Sequence, residues 1–141
     1  MLAERMIEEN RELNRRVRAL EEITSRIEAE ELIAAATEDS HGVKIITKIF
    51  NDRDPESLKR LAQTLTARRR TVVLLGSHDK DAARLVFARS AGAPGDMGAL
   101  MRDACATIDG RGGGKPDLAQ GGGRNAEKVG EAIAQAVKAF L

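Results

Sequence analysis

The sequence predicts an α/β fold: a small mixed β-sheet with helices packed on it, preceded by a long N-terminal coiled-coil-like helix. Three observations carry the prediction. Residues from about Leu2 to Ala36 contain no Gly or Pro and repeat their apolar residues at helical spacing. A strand pattern, a helix pattern and a second strand pattern then follow one another between Val43 and Ser77. That order over that length is a βαβ unit with parallel strands and a right-handed crossover. Two further amphipathic helix patterns close the chain, the first beginning near Asp96 and the second near Arg124.

In the first element Met6, Leu13, Leu20 and Ile27 recur every seven residues, with Val17 filling the seam between them. Asn10 falls on the same seam, where a polar residue fixes register, while Thr24 and Glu31 also land on it and weaken it. A helix of this length spans roughly 50 Å at 1.5 Å per residue. It needs a partner: its own domain, a second helix or a second copy. Residues 1–40 are therefore read as a helical, coiled-coil or dimerisation element, and His41-Gly42 opens the domain formed by residues 41–141.

Val43 to Phe50 reads as a strand because it is rich in branched residues. Lys44 and Lys48 alternate on it, which marks a solvent-facing side. Asp54 and Pro55 start a helix whose apolar face is Leu58, Leu61, Ala62 and Leu65, and which is expected to end in Arg68-Arg69-Arg70. Thr71 to Ser77 is apolar enough to be a central strand. After a turn at His78–Asp81, Ala82 to Ala91 is expected as a third strand, antiparallel to the second. Asp96 then caps a helix carrying Met97, Leu100, Met101, Ala104 and Ile108 on one side. Arg124 to Leu141 is expected as one closing helix with Val129, Ile133, Val137 and Phe140 turned inward.

Composition removes several classes of function. Three Phe are the only aromatic residues, so base stacking on aromatic platforms is not expected. One Cys (Cys105) and two His (His41, His78) supply neither a disulfide framework nor a Cys-rich zinc site nor a His-based triad. Cys105 reads as a small buried hydrophobe and His78 as a surface residue. No cofactor or metal is called for. No apolar run approaches a membrane span and the acidic N-terminus does not resemble a signal peptide, so the chain is expected to be soluble and cytoplasmic. The net charge of +1 conceals an asymmetry. Residues 1–40 hold six basic and eleven acidic groups, a net of −5, and the remainder holds seventeen and eleven, a net of +6. The second part is the one suited to a polyanion.

Six of the thirteen glycines lie in two triplets within "DGRGGGKPDLAQGGG", Asp109 to Gly123. A Walker A loop requires glycine five positions before its Gly-Lys and Ser or Thr after it, but Gly114-Lys115 has Asp109 and Pro116 there. The dinucleotide fingerprint fails as well, since counting from Gly110 puts Lys115 on its last glycine. What remains is a glycine-rich loop containing Arg111 and Lys115 that leads toward a helix start near Arg124-Asn125. Backbone amides, cations and a helix dipole together make an anion site; the alternative is that the glycines only let the loop pack under the last helix.

The stretch closely resembles the signature near the C-terminus of alanyl-tRNA synthetases, in which a Gly-Gly-Gly-Arg/Lys-Pro-Asp loop leads through Ala-Gln and further glycines into the final helix. Residues 41–141 thus resemble the C-terminal domain of that family, a DHH-associated domain, and the N-terminal helix resembles the helical segment that precedes it. DHH phosphoesterases, which share the domain, carry Gly-Gly-Gly-His at this point, where Lys115 stands here. Their Asp-His-His metal motif is missing from this sequence, as are the synthetases' ATP-binding aminoacylation domain and His/Cys zinc editing site. The resemblance implies a tRNA-binding module that contacts the elbow of the tRNA (for this family tRNA-Ala), works beside the remaining synthetase domains and ties aminoacylation to editing. It is expected to be non-catalytic alone. The expected RNA or phosphate-binding residues are Arg111, Gly112, Gly113, Gly114, Lys115 and Arg124, with Arg68, Arg69 and Arg70 as a second, weaker patch. Two other readings are an oligomerisation domain that forms a homodimer through the N-terminal helix, and a phosphate-ligand-binding accessory domain of a DHH-type phosphoesterase.

Overall fold

The computed structural model describes residues 2–140. Helix α1 covers Leu2–Ala34, and a two-residue strand β1 (Thr37–Glu38) leads to β2 (Lys44–Asn51), α2 (Pro55–Thr66), β3 (Thr71–His78) and β4 (Ala83–Arg89). Helix α3 (Met97–Thr107), β5 (Gly110–Gly114), β6 (Leu118–Gly123), a 3-10 turn at Ala126–Lys128 and α4 (Val129–Val137) complete the order. The six strands form one mixed sheet in the order β1-β2-β3-β4-β6-β5. Only the β2–β3 pair is parallel, running from Lys44↔Thr71 to Asn51↔His78, and α2 crosses between them. Every other pairing is antiparallel.

The period-two alternation of β3 and β4 divides the core into two layers. Val72, Leu74, Leu85 and Phe87 face α3 and α4, where they meet Met97, Met101, Ile108, Val129 and Ile133. Val73, Leu75, Val86 and Ala88 face α2, where they meet Leu58, Leu61, Ala62 and Leu65. The central strand is therefore apolar on both sides, and each fully buried Leu, Val or Phe contributes about 1.5–3 kcal/mol. Helix α2 starts as its sequence dictates: Asp54 accepts a hydrogen bond from the Ser57 amide (2.7 Å) and Pro55 occupies the first turn. Asp96 caps α3 in the same way through the Ala99 amide.

Three expectations are corrected. The glycine stretch is not a loop but the β5–β6 hairpin, with Lys115-Pro116-Asp117 as its connection. Glycine is a weak strand former, so propensity pointed away from a strand that the neighbouring helix makes necessary. The closing helix does not start at Arg124. Strand β6 runs to Gly123, the 3-10 turn intervenes, and α4 spans only Val129–Val137. Phe140 lies beyond α4 yet still packs on the α3/α4 layer, and Leu141 lies outside the described residues. Lastly, α2 ends at Thr66, so Arg68–Arg70 form a turn rather than a helix end, and Arg70 takes a left-handed φ of 51° that swings the chain into β3. Strand β1 was not anticipated, because two residues are too few to carry a period.

Helix α1 meets the domain only through its last turns. Ala29 is buried, and Leu32 and Ile33 pack beside α2. Every residue from Leu2 to Ile27 is exposed.

Candidate nucleic-acid interface

The glycines of the hairpin are there because α3 lies directly on it. A Cβ at Gly112 would come within 2.8 Å of the Cys105 Sγ and 2.6 Å of the Gly121 Cα. One at Gly121 would strike Cys105 Sγ and approach Met101 Sδ to 2.9 Å. One at Gly98 on the helix would come within 2.7 Å of the Gly114 carbonyl oxygen. Two backbones thus approach more closely than side chains allow, which is a packing role for these glycines.

The hairpin also alters the anion-site expectation. Strand β6 is paired on both sides, by β4 and β5, so its glycine triplet lies inside the sheet and is not an open loop. The Lys115 amide donates to the Leu118 carbonyl (2.9 Å) and the Asn125 amide to the Ile108 carbonyl (3.0 Å). No α-helix N-terminus follows the second triplet directly, since α4 begins six residues after Gly123.

Burial in this layer pushes the Cys105 thiol up from its ordinary range, against the opposing effect of a hydrogen bond from the Gly122 amide. With Met101, Gly112 and Gly121 around it, Cys105 is expected to react with an aqueous thiol reagent on the order of 100-fold more slowly in the folded chain than after denaturation. A folded-state rate equal to the denatured one would show that α3 does not seal against the hairpin.

The strand register locates each expected binding residue. Arg111 pairs with Gly122, and Arg124 follows Gly123, which pairs with Gly110, so these two cations share one end of the sheet. Lys115 is at the opposite end of the hairpin, four residues and about 13 Å of strand from Arg111. Gly112, Gly113 and Gly114 run along β5 between the two ends. Lys115 shares its end with Arg68, Arg69 and Arg70, which immediately precede β3, because Val72 pairs with Arg89 and the Arg89 amide donates to the Asp117 carbonyl (3.0 Å). All six cations are exposed. The structure therefore regroups them by sheet end: Lys115 shares one end with the arginine turn, and Arg111 and Arg124 share the other.

Lys44 belongs to the same end, as its amide donates to the Arg70 carbonyl at 2.8 Å. Its alternation with Lys48 marks Lys44 only as solvent-facing, and the parallel β2–β3 pairing is what brings it to the arginines. Elsewhere cations are engaged: Arg53 is paired with Glu28 (2.9 Å) and lies over the Phe50 ring, and Arg84 is paired with Asp79 (3.0 Å). The Asp81 amide above all, then the Arg84 guanidinium and the Ala82 amide, hold the Asp79 carboxyl below its ordinary range against the opposing effect of desolvation. Among the described residues no three His, Cys, Asp or Glu side chains converge to hold a metal ion, and no helix is long and apolar enough to cross a membrane.

Residues 42–141 match the DHHA1 domain family. The chain is 38% identical over 112 residues to the alanine-tRNA ligase of Leptospira borgpetersenii, an alignment covering 77% of this chain and 12% of the ligase. It is 36% identical over 135 residues to that of Pseudomonas savastanoi, covering 94% of this chain and 15% of the ligase. The chain thus spans only about an eighth to a seventh of the length of these relatives. Among solved structures, the C-Ala domain of Aquifex aeolicus alanyl-tRNA synthetase superposes with a TM-score of 0.65 at 28% identity, over 70% of this chain and 91% of that domain. The manganese complex of Thermus thermophilus RecJ shares the fold at a TM-score of 0.57 and 20% identity, over 89% of this chain and 18% of that one.

Proposed function

The chain belongs to the DHHA1 domain family, and from that premise we propose that it is the tRNA-binding C-terminal module of an alanyl-tRNA synthetase. In this reading it binds the elbow of tRNA-Ala in the cytoplasm, beside the synthetase's other domains. There it couples aminoacylation to editing while catalysing nothing itself. The observation that carries the reading is the alignment of nearly the whole chain, long helix included, with alanine-tRNA ligases. The chemistry suits it. An RNA helix is recognised through shape, phosphate and 2′-hydroxyl, which asks for exposed cations and does not need aromatic platforms. The domain offers the cations and has almost no aromatic residues.

The test is a titration of the chain with tRNA-Ala over a salt series, using a hairpin that lacks the elbow as control. Elbow-dependent binding is expected, with log K falling by roughly 0.9 per unit of log salt for each phosphate neutralised. Equal affinity for tRNA and hairpin would overturn the reading.

A second reading, compatible with the first, is that the module is also a homodimer through α1. It rests on the eight large apolar residues between Leu2 and Ile27, which are 50 to 74% exposed and lie outside both core clusters of the domain. A phosphate-ligand accessory role is less favoured, because Lys115 stands where DHH phosphoesterases carry histidine and the likeness to RecJ is one of fold.

A further inference from the structure

We propose that the tRNA backbone is held by the end of the sheet that bears Lys44, Arg68, Arg69, Arg70 and Lys115, and not by the end that bears Arg111 and Arg124. The inference rests on the tRNA-binding reading and assigns it a surface.

Topology makes this end one continuous strip. Lys44 opens β2, Arg70 immediately precedes β3, Arg89 closes β4 and Lys115 tops the β5–β6 hairpin. From β2 to β5 the strip crosses four inter-strand spacings, about 19 Å. That is wide enough to lie along several successive phosphates rather than one. Charge separates the two ends. The near end carries Lys44, Arg68, Arg69, Arg70, Arg89 and Lys115 against Glu38, Asp39, Asp96 and Asp117 on the segments that flank the strands there. Two of those four are turned into the backbone: Asp39 accepts from the His41 and Val43 amides at 2.8 and 2.9 Å, and Asp96 caps α3. At the far end Asp52, Asp54, Asp79, Asp81, Asp109 and Glu127 match the basic residues in number. There Arg53 and Arg84 are already in ion pairs.

The near-end cations are ready for use. Lys44, Arg68, Arg69 and Lys115 are exposed, and among the described residues none of them is in an ion pair. Arg70 is braced by its hydrogen bond to the His41 carbonyl (3.2 Å). Its left-handed backbone is unfavourable for a side chain as bulky as arginine, and it sits where the three consecutive arginines turn off the helix. Arg70 lies beside Lys44 at the end of the sheet, and Arg68, two residues before it, also lines the groove between α1 and α2. Phosphate contacts of this kind fix orientation, and each makes binding more salt-sensitive.

Two charge-reversal variants of the full chain decide the matter, each titrated with tRNA-Ala beside the wild type. Arg68→Glu/Arg69→Glu/Lys115→Glu is expected to weaken binding by at least about 30-fold and to lower the salt slope by two to three phosphates' worth. Arg111→Glu/Arg124→Glu is expected to stay within about 3-fold of wild type. Circular dichroism and melting curves monitor the fold, since all five positions are exposed. If the second variant loses as much as the first, or more, the assignment to the near end is overturned while the tRNA reading stands. If the wild type itself does not bind tRNA, the tRNA reading falls and the assignment falls with it.

Discussion

Gly123→Ala is expected to destabilise the domain by more than about 3 kcal/mol, beyond the usual range for overpacking. The backbone angle at Gly123 is ordinary, so the cost is steric. A Cβ there would drive into the Ile108 carbonyl oxygen and lie 2.9 Å from both the Ile108 carbonyl carbon and the Gly110 nitrogen. These are backbone atoms and have no rotamer to retreat to. They are also fixed from elsewhere: the Ile108 carbonyl accepts the Asn125 amide, Asp109 is in a left-handed conformation with φ 55°, and Gly110 is registered against Gly123 itself. Making room therefore means breaking the turn that joins α3 to the hairpin. For a domain of about 100 residues the loss corresponds to a fall in Tm of more than about 12 °C. Gly113→Ala is the internal control. It lies in the same hairpin, yet the nearest atom to its Cβ is the Arg102 Cγ at 4.0 Å, and its stability is expected to stay within about 0.5 kcal/mol of wild type. Equal Tm shifts for the two variants would mean that the glycines serve only backbone flexibility.

On the homodimer reading, Leu13→Asp/Leu20→Asp is expected to convert the chain from dimer to monomer. Residues 6, 10, 13, 17, 20, 24 and 27 alternate spacings of four and three, so Met6, Leu13, Leu20 and Ile27 occupy one seam position while Asn10, Val17 and Thr24 occupy the other. Leucine at the first with a branched residue and one asparagine at the second favours two parallel strands, the asparagines pairing in register. Arg16 and Glu21 flank the seam where a parallel copy brings them together, and Ile7 and Ile23 widen it. A second copy would supply packing that residues 2–27 do not receive from the domain's core, and a helical segment without tertiary packing is marginal in water. Sedimentation equilibrium at micromolar concentration is expected to give the mass of two chains for wild type and one for the variant. Far-UV circular dichroism is expected to show helix loss confined to the N-terminal segment, with the Tm of the domain unchanged, since residues 2–27 do not enter its core. A monomeric wild type over the whole concentration range would refute the pairing.

Much of the fold was legible because its elements obey local rules. Asp54-Pro55 announced α2, and the unbroken apolar run from Val72 to Leu75 announced a strand buried on both faces. The apolar faces of α2 and α3 were readable from their 3.6-residue period. The N-terminal helix was readable over nearly its whole length, because 33 residues without Gly or Pro leave few alternatives. The site was legible only in part. Candidate cations could be listed from the sequence, but not which end of the sheet each occupies, because Arg111 and Lys115 are close in sequence and lie toward opposite ends of a strand.

The sequence alone determined which segments are helix, which are central strand, which face of each is apolar, and, through its glycine signature, the family. Those properties depend on neighbours one to seven residues away. Tertiary structure decided the rest. It made a hairpin of the glycines, because α3 presses on backbone that tolerates no Cβ. It also sorted the cations into a basic end and a balanced end, because strand pairing joins residues such as Lys44, Arg70 and Lys115, which are 26 to 71 positions apart in the chain.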